Sequence, residues 1–287
     1  MRFHQFDGKT HLIIGKYIQN NDKPSIFKEF QDIIETCCDE PIDVHSLTNV
    51  DLFCILLNLR IMCISQTFDY ESVITTDNEK VKQTQKLDLY DILDKVTNHK
   101  AQYITSFNVD NHYKISLGLP KGFYIQDIDT LIVDVIDNIE LLGKTYDMKD
   151  LSAEEKTTIL DELPGDILTA ITDHIRGLDH DYKIKVFDNV TSGDLSEIEL
   201  KLFDNSLFEF IKAMYNCNLQ EQYYIRYIMV KRLGFRLQDV DEITPIDTQN
   251  YINLYREELE EEKKAHEKQQ EQQKPGMSLP SPGFPGS

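Results

Sequence analysis

The chain has 287 residues, 40% of them hydrophobic, and a formal net charge of −20. That length allows one large domain or two small ones around a sizeable core. The acidity argues against nucleic acid as the main partner, because neutralising phosphates takes clustered lysine and arginine.

The opening residues "MRFHQFDGKTHLIIGKY" lack the apolar run of a signal peptide. No span reaches the roughly 18–20 apolar residues of a bilayer crossing, so a protein that is cytosolic when made is expected, with no membrane partner. Five cysteines, an odd number without regular spacing, read as reduced thiols.

In "KPSIFKEFQDIIETCC", Ile26, Phe27, Phe30, Ile33, Ile34 and Cys37 recur at helical spacing. Ser25 is the candidate N-cap, and the helix should stop before Pro41. Next, Thr48 and Asp51 have the spacing of a capping box, in which each side chain accepts from the other's backbone N–H. They introduce "VDLFCILLNLRIMCISQ", Val50 to Gln66, a helix apolar all round that must be enclosed by protein. Between Leu52 and Ile64 only Asn58 and Arg60 are strongly polar. Arg60 then requires a carboxylate or carbonyl partner, since an unpaired buried charge costs several kcal/mol, and it reads as an internal tether.

β character follows. "TFDYESVITTDNEKVKQTQKLDLYDIL" reads as two short runs around a turn at Thr76–Glu79, and "AQYITSFNVDNHYKISLGLP" as a hairpin around "NVDN". Beyond it, Ile128, Leu131, Ile132, Val135, Ile136 and Ile139 recur at intervals of three and four, which predicts a helix stopped by Gly143. "LSAEEKTTILDEL" opens with a second capping box, Ser152 and Glu155. "PGDILTAITDHIRGL" predicts a short helix, "DYKIKVFDNVTSGDLSEIELKLFDN" a hairpin, and "SLFEFIKAMYN" and "LQEQYYIRYIMVKRLGF" two more helices. Thr244 and Asp247 with Pro245 at the first helical position start a last, highly charged helix. After Lys274, "PGMSLPSPGFPGS" is too rich in proline and glycine to bury a core and reads as a mobile tail, able to offer Leu279 or Phe284 to a partner.

No catalytic constellation emerges. Two "GKT" tripeptides, Gly8–Thr10 and Gly143–Thr145, lack the glycine five positions upstream that wraps phosphate in a phosphate-binding loop. HExxH, CxxC and GxSxG patterns are absent. His174 and His180 with Asp179 and Asp181 could ligate a metal but are expected in a solvated loop after a helix. Tyr223, Tyr224, Tyr227, Tyr251 and Tyr255, at helical spacing, are expected to pack into the core with their hydroxyls reaching the surface. No cofactor site is read.

The order of segments resembles a known family. "LTNVDLFCILLNLRIMCISQTFDY" is similar to a segment of baseplate hub proteins of T-even-type contractile-tailed bacteriophages, with Leu47, Asp51 and Leu57–Arg60 in the matching places. "KTHLIIGKYIQNND" resembles that family's lead-in, "LSAEEKTTILDELPGDILTAI" its helical pair, and "NLQEQYYIRYIMVKRLGFRLQDVDEITPIDTQNYINLYREELEEE" its C-terminal part, so the likeness spans roughly residues 10–265. It implies a non-enzymatic hub or assembly subunit of the tail baseplate, made in the host cytoplasm and partnered by other tail proteins. A transient chaperone of the tape-measure protein is the close alternative. A metal-dependent enzyme using the carboxylates and His174 or His180, and a host-directed adaptor using the tail, are the alternatives of a different class.

The resulting expectation is an α+β fold, mainly helical with inserted β-hairpins and a flexible C-terminal tail. Three divisions are expected: a helical and hairpin region at 1–120, a mainly helical region with one hairpin at 121–273, and a disordered tail at 274–287. Asn58, Arg60, Tyr223, Tyr224, Tyr227, Tyr255 and Phe284 are the candidate structural and interaction residues.

Overall fold

A computed structural model describes residues 2–76, 79–100, 105–108, 113–122, 132, 135–141, 143–181, 183–187, 198–202 and 205–272. The fold is α+β and mainly helical, with small antiparallel sheets. The C-terminal tail and Phe284 lie outside the described residues.

Two helices open the chain: α1 (Gly8–Gln19) and α2 (Lys23–Cys37). Each is capped by an aspartate; Asp7 accepts from the Thr10 N–H and Asp22 from the Ser25 N–H. Asp22 therefore holds the capping position expected of Ser25, and Pro24 sits in the first turn, where its missing N–H costs nothing. The central helix α3 (Asn49–Cys63) begins with the expected capping box of Thr48 and Asp51. Val50, Leu52, Phe53, Leu56, Leu57 and Leu59 have no exposed surface. A helix apolar on every face becomes stable only when other elements surround it. Here α1, α2, α7 (Asn205–Tyr215) and α4 (Leu89–Lys100) contribute to the same core.

Between α3 and α4 lies a hairpin of two ten-residue strands, β1 (Thr67–Thr76) and β2 (Glu79–Asp88), longer than the short runs expected. Phe68 and Leu87 face each other on its inner side, and Phe68 and Tyr70 set their rings 5.5 and 5.4 Å from Phe210 of α7. The hairpin is thereby held at its base by aromatic packing, edge-to-face for Phe68 and tilted for Tyr70.

A second layer is the antiparallel meander β3 (Thr105–Asn108), β4 (Tyr113–Leu117), β5 (Ile136–Leu141) and β6 (Lys144–Asp147). β5 corrects the sequence reading. Ile132 and Val135 are helical, but from Ile136 the chain is extended rather than continuing the predicted helix. The reason is a bulge: Ser116 pairs with Asn138 and Leu117 with Ile136, so Asp137 is an extra residue in the strand. The bulge lets Ile136 and Ile139, three apart, both be buried, a spacing that in sequence imitates a helix. Gly143 ends no helix; its φ of +76° makes the turn between β5 and β6.

This sheet packs with α5 (Ala153–Glu162) and α6 (Gly165–Asp181) around a separate cluster that includes Ile115, Leu117, Ile139, Ile167 and Ile171. α6 runs to Asp181, longer than expected, because Leu178 at its far end joins the main core. The strands β7 (Lys183–Phe187) and β8 (Ile198–Lys201) form the last hairpin, and Ile184 and Leu200 bring it onto that core. The main core thus crosses the expected division at residue 120, taking Leu119 from one side and Leu178 to Tyr215 from the other.

The chain ends in three helices: α8 (Leu219–Lys231), α9 (Leu237–Glu242) and α10 (Pro245–Gln272). Ile225, Met229, Val240 and Ile252 make a small third core, and Arg226 pairs with Asp241 across it.

Candidate functional site

Two places gather the residues singled out from sequence. The first is a buried junction under α3. Arg60 is only 6% exposed, and carbonyls rather than a carboxylate hold it. Its Nε donates to the Met214 carbonyl at 2.8 Å and its Nη1 to the Ser65 carbonyl at 2.6 Å. Tyr215, fully enclosed, donates its hydroxyl to the Leu56 carbonyl at 2.7 Å, so α3 and α7 are laced in both directions. Charge-assisted and buried hydrogen bonds of this kind set one registration between two helices. Asn58 does less: its amide donates to the Cys54 carbonyl one turn back in its own helix.

His11 of α1 enters the same junction. Burial, followed by the Arg60 charge, lowers its pKa to about 4, so the ring is neutral at ordinary pH. Burial also pushes the Cys63 thiol up to about 12 and the Cys37 thiol up to about 11. Such thiols remain protonated and unreactive; Cys63 serves as an acceptor for the Phe6 N–H at 3.3 Å. The junction therefore joins the N-terminal segment, α1, α3 and α7 by packing and hydrogen bonds.

One of the GKT glycines has a structural task here. A methyl group on Gly8 would meet the Ile243 carbonyl at 2.9 Å, and the Gly8 N–H donates to that same oxygen at 2.8 Å. Gly15, two turns on, packs so closely on Cys217 that a side chain would overlap its sulfur. Small residues at both positions let α1 touch the segments that carry the last three helices.

Those last helices are the second place. Tyr223, Tyr224 and Tyr227 on α8 and Tyr251 on α10 are exposed, which corrects the expectation that they pack into the core. Tyr224 reaches 63%. The reason is geometric: Ile225 and Met229 turn the opposite side of α8 inward onto the small third core. Tyr255 is half-buried. Lys16 lies 5.8 Å over the Tyr223 ring, and Phe235 meets Tyr251 edge-on at 5.1 Å. Sequence reading missed Leu237, Leu254 and Leu259, which are also exposed, the last two beside the tyrosines of α10 in the chain. The available signal was a leucine standing alone among charges, as Leu259 does in "EELEEE".

The other candidates are not brought together. His174 lies within α6 rather than in a loop, and His180 falls in its last turn. Among the described residues no group of three or more histidine, cysteine or carboxylate side chains is placed to hold a metal. Gly143–Thr145 forms the β5–β6 turn and the start of β6, with no helix behind it. An open depression of about 250 Å³ beside α1 and α2 is lined by Asp7, Glu29, Asp32 and Cys37 among others. Burial raises the Glu29 pKa, and Asp32 adds to the shift. No helix among the described residues is long and apolar enough to cross a membrane.

A family model described as T4 bacteriophage base plate protein matches residues 1–189, about two thirds of the chain. The chain belongs to that family. It is a bacteriophage baseplate protein, and its partners are other phage tail proteins. No curated protein and no solved structure matches the chain. The match takes in α1 to α6 and β7, including the Arg60 junction on its α3 side; β8 and α7 to α10 follow it. Tyr223, Tyr224, Tyr227 and Tyr251 therefore lie outside the matched span, although the sequence resemblance extends to about residue 265.

Proposed function

We propose that this baseplate protein is a non-enzymatic structural or assembly subunit of the baseplate hub, working through protein–protein interfaces. The observation that carries the reading is the uneven placing of exposed apolar side chains. Of the eight large ones exposed among the described residues, seven lie between Tyr223 and Leu259. Tyrosine offers wide contact area with little entropy to lose, and exposed patches of it mark binding surfaces. A stable contact typically buries about 1,200–2,000 Å² in all, which three helices of this size can supply.

On this reading the chain assembles in the host cytoplasm and meets other hub components there, with its compact core acting as a rigid mount. Deleting the gene from the phage is expected to leave tails incomplete. Complete, infectious tails without the protein would overturn the proposal. Mass spectrometry of purified particles separates a resident hub subunit from a transient chaperone of the tape-measure protein, since the chaperone is absent from them.

A further inference from the structure

Helix α10 carries an apolar stripe that the described residues leave largely uncovered at Leu254 and Leu259. Tyr251, Leu254, Tyr255 and Leu259 follow one another at intervals of three, one and four, the spacing of a single helical face. Leu254 is 63% exposed and Leu259 44%. After Ile252 no described side chain of the helix is buried, so its last turns project beyond the small core that holds its start. A helical stretch of that length is marginal in water without tertiary support. Along this stretch Glu260 and Lys264 pair at 4.0 Å with both partners about 70% exposed, a contact that contributes little.

Charge says what covers the stripe. Glu257, Glu258, Glu260, Glu261 and Glu262 surround Leu259 within six consecutive positions. At 100° per residue, Glu258 and Glu262 fall between the apolar side chains and Glu257 and Glu261 along their border. A second copy laid stripe on stripe supplies no lysine to meet them. In parallel the carboxylates face each other; antiparallel, they face Thr248 to Asn253, which carry no cation.

We infer that α10 docks a lysine- or arginine-rich amphipathic helix of another tail protein, pairing its apolar face with Tyr251, Leu254, Tyr255 and Leu259 and its cations with Glu257, Glu258, Glu261 and Glu262. The inference rests on the interface role proposed above and gives that role a partner chemistry. Like-charged helices are rejected at this surface while oppositely charged ones are drawn to it.

The full-length protein is titrated with two fluorescent helical peptides that share one leucine face, one flanked by lysines and one by glutamates. The lysine peptide is expected to bind at least tenfold more tightly. Leu254→Asn with Leu259→Asn, which keeps every charge, weakens it at least tenfold; Glu257→Lys with Glu258→Lys and Glu261→Lys reverses the preference. These positions are exposed, and circular dichroism checks that each variant is folded. Equal binding by the asparagine variant would mean attraction to overall charge alone and would overturn the inference, as would no preference between the peptides. A photo-crosslinker at Leu259 in assembled tails is expected to capture a basic helical segment of a different protein. Capture of a second copy, of residues 273–287 of the same chain, or of an acidic segment counts against it. Since the peptide titration does not depend on tail assembly, failure there is distinguishable from failure of the hub reading.

Discussion

Helices α3 and α10 begin with the same device and end in opposite surroundings. Thr48 with Asp51 caps one and Thr244 with Asp247 the other, each threonine hydroxyl donating to its aspartate and accepting the aspartate's backbone N–H. From there α3 has almost no exposed side chain, and α10 has almost no buried one. The cap decides where a helix starts; the side chains along it decide where it can live. α3 is the part around which the molecule assembles, and α10 is the part it holds out.

The contrast can be broken most severely at the junction. Arg60→Ala removes a packed side chain and leaves the Met214 and Ser65 carbonyls without their donor. A loss of about 4 kcal/mol is expected, read by urea unfolding. A loss under about 1 kcal/mol would mean that α3 and α7 are not laced there.

Acid should loosen the same junction. Burial, then Arg60, depresses the His11 pKa from 6.5 to about 4, so between those values the unfolded chain binds a proton that the folded chain refuses. The full contribution is therefore present above pH 6.5 and is lost as pH falls toward 4. It amounts to about 3 kcal/mol from this group. A stability profile over pH 4–7 should flatten in His11→Gln; an unchanged slope would remove His11 from the account.

The two caps sharpen the comparison on a smaller scale. Thr48→Ala is expected to cost about 1 kcal/mol of global stability. Thr244→Ala should instead fray α10 locally, visible as faster amide exchange near Asp247, with little change in the unfolding midpoint. The smallest effect belongs to Leu259→Asn. At an exposed site with no neighbour to lose, the midpoint should move by under about 0.5 kcal/mol, so any defect in assembly would report lost binding.

Much of this was legible from local pattern. The capping boxes at Thr48, Ser152 and Thr244, the enclosed character of α3 and the hairpins each rest on side chains within a few positions of one another. Three helices were not legible. α1 hides behind Gly8, His11 and Gly15, which interrupt its apolar pattern because they answer to Ile243, Arg60 and Cys217 far along the chain. α4 begins at the very end of β2, where Leu87 and Leu89 continue the strand's alternation. α9 has only six residues. Of the candidate residues, Arg60 could be judged from its setting in an apolar helix, whereas the tyrosines could not, since spacing says that they share a face but not which way it turns.

The amino-acid sequence by itself determined the capped starts of α3, α5 and α10, the obligation to bury α3, the charged character of α10 and the membership in a phage baseplate family. Only the tertiary structure decided that Ile136 and Ile139 belong to a strand, that the glycines of α1 are contact points, and that Tyr223, Tyr224 and Tyr227 face outward. The physical reason is the same in each case. Caps and periodicity are properties of neighbouring residues, but a bulge, a close approach and an uncovered face exist only relative to what packs alongside, and that partner sits far away in the chain or outside it.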